Sequence, residues 1–431
     1  MLAAYAVLLP GGKWQGDDYL GAWFVAHGGW HVLLDRLTGR SPRPVAETVT
    51  WLYFAVSNAL GRPVIGYFLG LLWSAALAGI AAAGWVGRVR RPMLLALLPF
   101  ALTLVLIKPG EMFYWPEGAA AYVPCWAGLA AATVLHRTDI GRHCMALTLA
   151  LLVAVFSAEV GAITVLCYAA LVGVAFRRAR PSHRLGPLIL PALCGAAVCL
   201  IVLRDRMQPM GEVMDARSGL AGNWSASLGA ALPSFAQEAV GIEGLPLLAG
   251  ATIKLLLLLC LPPGERPSPR LALLWALALL LGAFASVVLA YHQFGALCCE
   301  RHATLRQGMV VLALVALAGL LGDALLVPRQ IVLSALVLGL LAVRAEPLAA
   351  DWRALPDSLA ARQRNWASGE TVGDAMTLLV APPGRITNSD ALPAGHYRRT
   401  TNEPFGDTPW YAWGVMARFG KHCLTIAPAA Q

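Results

Sequence analysis

Two adjacent carboxylates, Asp17 and Asp18, follow a short apolar stretch at the start of the sequence. They precede a segment in which aromatic and leucine side chains recur at helical spacing, from Tyr19 to Leu37. An Asp at the start of a helix can cap unpaired backbone N–H groups and is favoured by the helix dipole. A carboxylate at the mouth of a cavity can instead act as a general base on a hydroxyl group. The two roles are compatible, because one Asp can cap the helix while the other reacts.

Other side chains that could bind a ligand lie in later loops. Tyr114, Trp115 and Glu117 form an acidic aromatic loop, whose rings could stack on a sugar or anchor at lipid headgroups. Glu159 lies at a turn, where it is either a second carboxylate of the site or a solvated residue. The basic candidates are Arg62, Lys108, Arg204, Arg206, Arg301 and Arg306, with His302 next to Arg301. For each of these cations the alternative is an interfacial side chain that extends its charge into water.

The composition indicates the environment of this chemistry. Hydrophobic residues make up 58% of the 431-residue chain, charged residues only 13%, and the mean hydropathy is +0.64. Soluble globular proteins are about 45–50% apolar and about 25% charged. These values exclude an ordinary soluble enzyme and a disordered chain, and they predict a polytopic membrane protein. In a membrane protein, the positions of the basic residues behind the net charge of +9 indicate the orientation in the membrane. The charge therefore gives no support for a nucleic-acid partner.

A membrane-spanning helix needs about 20 apolar residues. Ten stretches approach this length: 63–86, 92–107, 118–135, 144–158, 161–176, 186–203, 243–261, 271–291, 308–326 and 330–345. The apolar residues 2–10 are too few to cross alone, and we interpret them as the exit end of a further span that a late start codon could have shortened. The sequence thus predicts about eleven transmembrane helices. The pair 144–158 and 161–176 could also be one long helix broken at Gly161.

The arginines indicate the orientation in the membrane. One set of short loops holds Arg88, Arg90, Arg91, Arg137, Arg142, Arg177, Arg178, Arg180, Arg184, Arg266, Arg270 and Arg329. The positive-inside rule places these loops in the cytoplasm. The longer loops then face outside, namely 11–62, 108–117, 204–242 and 292–307, as does the tail. We predict a transmembrane domain at 1–345, with 11–62 as its first outer loop, and an outer tail domain at 346–431.

Local patterns predict the structure of the outer segments. Apolar side chains at helical spacing predict two helices in the first outer loop, at 19–37 and 45–60, which suit the membrane interface plane. In the tail they predict an amphipathic helix at 348–366, followed by a short strand at 377–381. The tail is small for a core of its own, so we expect it to pack on the outer loops.

Several of these features together resemble a known superfamily. The first of them lie in order along the chain: a short first span is followed by Gly16-Asp17-Asp18-Tyr19, then by two interfacial helices, and then by Gly61-Arg62-Pro63 at the start of the next span. Further similar motifs are Phe113-Tyr114-Trp115 with Glu117 and Tyr122, Glu300-Arg301-His302, and Trp410-Tyr411-Ala412-Trp413 before Phe419-Gly420. The order resembles the GT-C superfamily of membrane glycosyltransferases, closest to the bacterial O-antigen glucosyltransferase-like and related families. Ser157-Ala158-Glu159 is similar to an acidic turn of those proteins, although Ala158 replaces the usual Asn. The likeness covers most of the chain through short motifs.

The resemblance implies a fold and an activity. The fold would be an all-α polytopic GT-C-like membrane protein with a small α+β outer tail, which would help to close the acceptor cleft. The activity would be inverting transfer of a sugar from a polyprenyl-phosphate donor, reached from the lipid bilayer, to an extracytoplasmic glycan or lipid-linked acceptor. The site and the tail would lie on the periplasmic or extracellular side of the cytoplasmic (inner) membrane.

The resemblance also suggests roles for individual residues. In GT-C enzymes the catalytic base is an acidic residue of the first outer loop, which here is Asp17 or Asp18. A lipid phosphate needs cations, and the candidates for binding the donor phosphate are Arg301, Arg306, Arg62 and Lys108. The candidates for binding the substrates are Tyr19, Tyr114, Trp115, Glu117, Glu159 and His302.

No cofactor is implied with certainty. Some GT-C enzymes use a divalent cation, and Asp17, Asp18, Glu117 and Glu159 could supply oxygen ligands, although their spacing does not decide it. His27 and His31 are four residues apart but lack a nearby third zinc ligand. The sequence has no nucleotide-binding loop, which argues against a nucleotide-sugar donor on the cytoplasmic side.

Two other functions compete with a glycosyltransferase. A lipid-linked glycan flippase or transporter is expected to carry internal repeats and charges near the middle of the membrane, whereas the polar residues here gather on one outer face. An O-antigen ligase or polymerase would carry its main chemistry in a late long loop, whereas the acidic pair here lies in the first. The sequence names neither the sugar, the acceptor nor the lipid length.

Overall fold

The computed structural model describes residues 2–40, 42–88, 92–136, 143–176, 182–206, 220–240, 269–297, 299–318, 329–381, 384–387, 392–400 and 408–429. Its helices are α1 (Leu2–Ala6), α2 (Gly16–Gly28), α3 (His31–Asp35), α4 (Pro44–Ala59), α5 (Ile65–Val86), α6 (Pro92–Leu106), α7 (Pro116–Leu135), α8 (Cys144–Ser157), α9 (Glu159–Phe176), α10 (Ser182–Arg206), α11 (Trp224–Val240), α12 (Pro269–Phe294), α13 (Glu300–Ala318), α14 (Arg329–Glu370) and α15 (Trp410–Phe419). Short 3₁₀ and π turns occupy Leu9–Gly11, Arg36–Arg40 and Gly110–Tyr114.

Five helices of this described part are long and apolar enough to cross a membrane, and they lie within α5, α7, α9, α10 and α12. This finding is compatible with the predicted all-α membrane protein. The predicted spans 92–107 and 144–158 form shorter helices, α6 and α8. The spans 308–326 and 330–345 fall partly on α13 and α14, while 243–261 lies outside the described residues. The total of eleven spans stays a prediction.

Helices α8 and α9 are separate, and the break between them lies at Ala158 and not at Gly161. Ala158 has extended backbone angles, φ −152° and ψ 149°, which end α8 before Glu159 opens α9. Gly161 has a packing role instead, since a Cβ on it would lie 3.0 Å from the Cys125 sulfur of α7. Small residues at such crossings let transmembrane helices approach closely.

Helix α7 is the centre of the bundle, and 89% of its most apolar 18 residues are buried. It packs against α4, α5, α8 and α13. The Ala and Gly residues of α7 allow these close approaches, as at Gly128, where an added Cβ would lie 2.9 Å from the backbone nitrogen of Ala154. Helix α7 begins at Pro116, and its first turn lies beside the first turns of several neighbouring helices.

Helix α14 runs without a break from Arg329 to Glu370, so the boundary predicted at 345/346 falls inside a helix. The amphipathic helix predicted at 348–366 is the second half of α14. Arg344 is buried, and its Nε donates to the carbonyl of Val105 at 2.6 Å. This bond satisfies a backbone oxygen in the last turn of α6, which would otherwise lack a partner.

The tail contains a three-stranded sheet, with strands β1 (Ala375–Val380), β2 (Gly395–Arg398) and β3 (Cys423–Pro428) in the order β1-β3-β2. β3 lies parallel to β1 and antiparallel to β2. The predicted strand at 377–381 corresponds to β1. Between β2 and β3, helix α15 docks on α2, where a Cβ on Gly16 would meet the Tyr411 Cα at 2.9 Å. The tail therefore packs on the first loop, as expected.

Candidate functional site at converging helix starts

Five helices begin at one place in the bundle. α2, α4, α7, α9 and α13 each carry acidic residues in their first turn. Ion pairs or electrostatic interactions connect these turns to one another. The N-terminus of a helix carries partial positive charge and unpaired N–H groups, which favour carboxylates and anionic ligands. Side chains from distant parts of the sequence are thus collected in one polar site at one end of the bundle.

Asp18 is the structural member of the aspartate pair. Its side chain is fully buried, and its Oδ2 accepts a 2.7 Å hydrogen bond from the backbone N–H of Gln15, the N-cap residue of α2. The same oxygen accepts a hydrogen bond from the indole N–H of Trp115. Burial raises the pKa of Asp18 well above its ordinary value, and the nearby charge of Glu117 raises it further. Asp18 therefore caps α2 and fastens it to the start of α7.

Asp17 is the reactive candidate of the pair. Its carboxylate is half-buried, and in the described part of the chain no side chain hydrogen-bonds or ion-pairs with it. Burial raises its pKa, while the positive charges of Arg301 and Arg36 act in the opposite direction. A carboxylate with an elevated pKa and open lone pairs, placed near two cations, is suited to accept a proton from a bound hydroxyl group.

Arg301 is the predicted phosphate ligand that lies at this site. Its guanidinium stands 4.6 Å from the ring centroid of Trp115, and its Nη1 is 3.5 Å from the Glu111 carboxylate. The backbone N–H of Arg301 donates to the same carboxylate at 3.0 Å. The contact with Trp115 and the pair with Glu111 hold the guanidinium at the site, and a guanidinium can bind an oxyanion through its fork of N–H donors.

Arg36, Arg43 and Glu47 also form part of the site, although the sequence did not single them out. Glu47 is only 3% exposed, and it accepts hydrogen bonds from Arg36 at 3.0 Å and from Arg43 at 3.1 Å. Arg36 lies 3.9 Å from Glu117, and Arg43 lies 3.7 Å from Glu159. The only signal in the sequence is the i,i+4 spacing of Arg43 and Glu47, which is common on helices.

His302 and Tyr122 lie beside these arginines. The Tyr122 hydroxyl and the His302 Nε2 are 2.7 Å apart and share one hydrogen bond. Of the predicted substrate-binding residues, the structure therefore places Trp115, Glu117, Glu159 and His302 around Asp17 and the arginines.

Two of the predicted substrate-binding residues, Tyr19 and Tyr114, are buried in the protein core. Tyr19 is buried against the rings of Trp14 and Phe419. Tyr114 is buried in the bundle, where its hydroxyl donates to the carbonyl of Tyr5 at 3.0 Å. Both rings therefore serve as core residues.

The predicted phosphate ligands other than Arg301 also differ from expectation. Arg306 is 3% exposed and is held by Glu238 through two bonds of 2.7 Å and 2.6 Å. It is therefore less accessible to a ligand than Arg301, whose side chain is 22% exposed and lies 3.5 Å from its carboxylate partner. Arg62 is exposed after α4, next to Gly61, whose carbonyl accepts a bond from Trp366 of the tail. Lys108 is exposed, and its carbonyl accepts a bond from Thr304 of α13. Lys108 therefore lies near the start of α13, as a peripheral cation.

The donor set favours an anionic ligand over a divalent cation. Within the described residues, no group of three or more His, Cys, Asp or Glu side chains could hold a metal ion. Four of the carboxylates, those of Glu47, Glu111, Glu117 and Glu159, each lie within 4 Å of an arginine nitrogen. Carboxylates that are paired with guanidinium groups in this way do not form an oxygen cage for a hard cation.

Comparison with known proteins identifies no relative. No protein-family model matches the chain, and no curated protein or solved structure matches it. The class that the structure supports is an α-helical membrane protein with a polar site at one end of the bundle.

Asp18→Asn tests the structural role of the buried aspartate. Asn has the shape of the protonated acid and can still accept both hydrogen bonds on its Oδ1. The native pKa of Asp18 is raised above its ordinary value of 3.8, so its contribution to stability is full below pH 3.8 and is lost as the pH rises through the native pKa. We expect Asp18→Asn to flatten this decline and to be more stable than the wild type at pH 8 by on the order of 1 kcal/mol. Thermal unfolding of both proteins in detergent, from pH 4 to pH 8, checks this, and identical pH profiles would contradict it.

Arg306→Met tests the structural role of Arg306. The substitution leaves Glu238 without its partner in a mostly buried place, and breaking such a pair costs about 3–5 kcal/mol. We expect a clear drop in the thermal unfolding midpoint, and a partial recovery in Arg306→Met/Glu238→Leu, which removes both charges. If the double variant is no more stable than the single one, the ion pair is not what Arg306 contributes.

Proposed function

We propose that this protein is a membrane glycosyltransferase that transfers a sugar from a polyprenyl-phosphate donor to an extracytoplasmic glycan or lipid-linked acceptor. Asp17 is the general base. The observation that carries the proposal is the half-buried carboxylate of Asp17, which lies near Arg301 and Arg36. Its pKa is raised, and none of the described side chains forms a hydrogen bond with it. A base and two cations are what displacement of a lipid phosphate by a hydroxyl group requires.

The proposed reaction is a single displacement at the anomeric carbon. The acceptor hydroxyl gives its proton to Asp17 while its oxygen forms the new bond to carbon. The bond between that carbon and the phosphate oxygen breaks, and its electron pair leaves with the lipid phosphate. Arg301 and Arg36, together with the helix N-termini, offset the charge that develops on the leaving group. One displacement from the opposite side inverts the anomeric configuration.

An apolar groove along α7 supports a lipid-linked donor. It has a volume of about 370 Å³ and is lined by residues of α5, α7 and α8, including Leu72, Val123 and Val153. Val123 follows Tyr122, whose hydroxyl is bonded to His302 at the site. The groove thus runs along the same helix whose first turn lies at the polar site, and an apolar groove suits the hydrocarbon chain of a lipid phosphate.

A lipid-linked glycan flippase is the second candidate, because the same groove would serve a transported lipid. The position of the polar site favours the enzyme: its charges lie in the first turns of five helices, whereas transporters place theirs at breaks near the middle of the span. Proteoliposomes that hold a synthetic polyprenyl-phosphate sugar and an acceptor decide between the two. Sugar transfer that Asp17→Asn abolishes supports the enzyme, and movement of the donor between leaflets without transfer supports the flippase.

The proposed location is the cytoplasmic (inner) membrane, with the site and the tail on the periplasmic or extracellular side. The arginine-rich short loops carry this proposal, and most of their residues lie outside the described part of the chain. Labelling a single cysteine introduced at exposed Asp357 in the tail with a membrane-impermeant maleimide, in whole cells or spheroplasts, tests the side.

A further inference from the structure

Glu117 is an acidic side chain of the site that the proposed displacement does not use. It is the second residue of α7, two positions after Trp115, whose indole N–H binds Asp18. Its side chain is 23% exposed, and its Oε2 is buried without a hydrogen-bond partner among the described residues. Burying a carboxylate oxygen without a donor disfavours the ionised form of the group. The same oxygen can carry a proton, which makes the group a hydrogen-bond donor.

The cations near Glu117 are engaged with other carboxylates. The Nη1 of Arg36 lies 3.9 Å from the Oε1 of Glu117 but only 3.0 Å from the Oε2 of Glu47. Arg36 therefore gives its hydrogen bond to Glu47. The guanidinium of Arg301 forms its ion pair with Glu111 at 3.5 Å. Neither arginine supplies the donor that the buried Oε2 of Glu117 lacks.

The surrounding charges distinguish Glu117 from Asp17. The positive charges of Arg301 and Arg36 act on both carboxyl groups. Glu117 also faces the negative charges of Asp17 and Glu47, which disfavour a second ionised group beside them. A proton on Glu117 relieves this repulsion and leaves Asp17 ionised, as a base must be. Neighbouring acids whose environments differ in this way divide the roles of proton donor and proton acceptor between them.

Acids outnumber cations at the site as a whole. The arginines are Arg36, Arg43 and Arg301, and the acids are Asp17 and Asp18 of α2, Glu47 of α4, Glu111 of the turn before α7, Glu117 of α7 and Glu159 of α9. Such a cluster is more stable when some of its buried acids are protonated. Asp18 is one of them, because it is fully buried, and the unpartnered oxygen of Glu117 marks a second.

We propose that Glu117 carries a proton in the active protein and donates a hydrogen bond to an acceptor oxygen next to the hydroxyl that Asp17 deprotonates. The acceptor sugar thus presents two neighbouring oxygens, one to each carboxyl group. Glu117 keeps its proton throughout, since none of the bonds that break in the displacement involves it. The hydrogen bond to the acceptor rests on the proposed function, whereas the proton on Glu117 does not.

Infrared spectroscopy of the full-length protein in nanodiscs tests the proton directly. A protonated carboxyl group has a C=O stretching band that an ionised one lacks. We expect a component of this band that is lost from the wild type as the pH rises, is absent from Glu117→Gln and persists in Asp18→Asn. Glu370→Gln, which changes an exposed acid at the end of α14, should leave the band unchanged. If the wild type and Glu117→Gln have the same band from pH 6 to pH 9, the proposal is overturned.

Asp17→Asn tests whether the two carboxyl groups share one site. The substitution removes a negative charge that faces Glu117. Loss of a neighbouring negative charge favours ionisation, so the band of Glu117 should disappear at a lower pH in Asp17→Asn than in the wild type. A band that titrates at the same or a higher pH in the variant would overturn the pairing of the two groups.

Sugar transfer from a synthetic polyprenyl-phosphate donor tests the hydrogen bond. Glu117→Gln keeps a side-chain donor and should retain most of the wild-type rate, whereas Glu117→Met has none and should lose about tenfold. The wild-type rate should fall at high pH as Glu117 ionises, and Glu117→Gln should lack this decline. A merely structural role would not produce the difference in pH profile. A Glu117→Gln rate as low as that of Glu117→Met, or a wild-type rate in Glu117→Met, would overturn the donor role.

The results for Asp17 and Glu117 separate this proposal from the proposed function. If Asp17→Asn abolishes transfer and Glu117 contributes no infrared band, the inference about Glu117 alone is wrong. If Asp17→Asn keeps wild-type transfer and the band of Glu117 is present, the role of Asp17 fails and the proton on Glu117 stands.

Discussion

Asp17→Asn is expected to lower the rate of sugar transfer by about 10²- to 10⁴-fold, the usual contribution of a positioned general base. Asn keeps the size of the side chain but cannot accept the proton of the acceptor hydroxyl. Because the base acts in the chemical step, kcat should fall while the KM values for donor and acceptor change little. The measurement is transfer of a labelled sugar from a synthetic polyprenyl-phosphate donor by the purified protein in detergent or nanodiscs.

Asp18→Asn is the matched control, since it makes the same chemical change one residue further along the chain. Asp18 uses one oxygen to hold Gln15 and Trp115, and Asn preserves both bonds, so most of the transfer activity should survive. Wild-type rates in Asp17→Asn, or an equal loss in both variants, would contradict the assignment of the base to Asp17.

The pH dependence gives an independent check on the same residue. Only the ionised form of Asp17 can act as a base, and burial raises its pKa above the ordinary value of 3.8. The wild-type rate should therefore rise with pH through an acidic limb that lies above pH 3.8. This limb should be absent from the residual rate of Asp17→Asn and present in Asp18→Asn.

Arg301→Gln is expected to lower kcat/KM for the lipid donor by about 10- to 100-fold. The substitution removes the guanidinium that stacks on Trp115, and a charge-assisted hydrogen bond contributes about 1.5–3 kcal/mol. Arg301→Lys should recover part of the loss only, because an ammonium keeps the charge but not the planar fork. Steady-state kinetics with varied donor concentration provide the measurement.

Arg270→Gln is the control for charge in general, because Arg270 is exposed in the first turn of α12. It should leave the kinetics unchanged. A donor that carries a charge-neutral phosphate ester sharpens the test further, since it should be used equally poorly by the wild type and by Arg301→Gln. If Arg301→Gln shows wild-type kcat/KM for the charged donor, the phosphate is bound elsewhere.

Local features of the chain could be predicted well because their physical causes are local. The helices at 63–86, 118–135 and 271–291 follow from runs of apolar side chains, and α5, α7 and α12 match them closely. The spans predicted at 144–158 and 161–176 correspond to the separate helices α8 and α9, whereas the alternative of one helix broken at Gly161 is wrong, because the chain leaves the helical conformation at Ala158.

The candidate site could be predicted only in part. The sequence singles out Asp17, Asp18, Trp115, Glu117, Glu159, Arg301 and His302, because they lie in loops or turns beside apolar runs. They lie together in the structure, because each is in or next to the first turn of a helix that begins at the site. Arg36, Arg43 and Glu47 were missed, since in sequence they look like the solvated residues of any amphipathic helix. Arg306 was assigned to phosphate, but its partner Glu238 lies 68 residues away, and such pairing leaves no local trace.

The sequence by itself determined that this is a helical membrane protein whose few charges gather in particular loops, because hydropathy and helix capping act between near neighbours. Only the tertiary structure decided which aspartate is held by hydrogen bonds, Asp18, and which is not, Asp17. The reason is that Trp115, whose indole N–H binds Asp18, lies 97 positions further along the chain. The same holds for the collection of five helix starts around Asp17. Their dipoles and arginines act through space, and their spatial arrangement depends on how the whole bundle packs around α7.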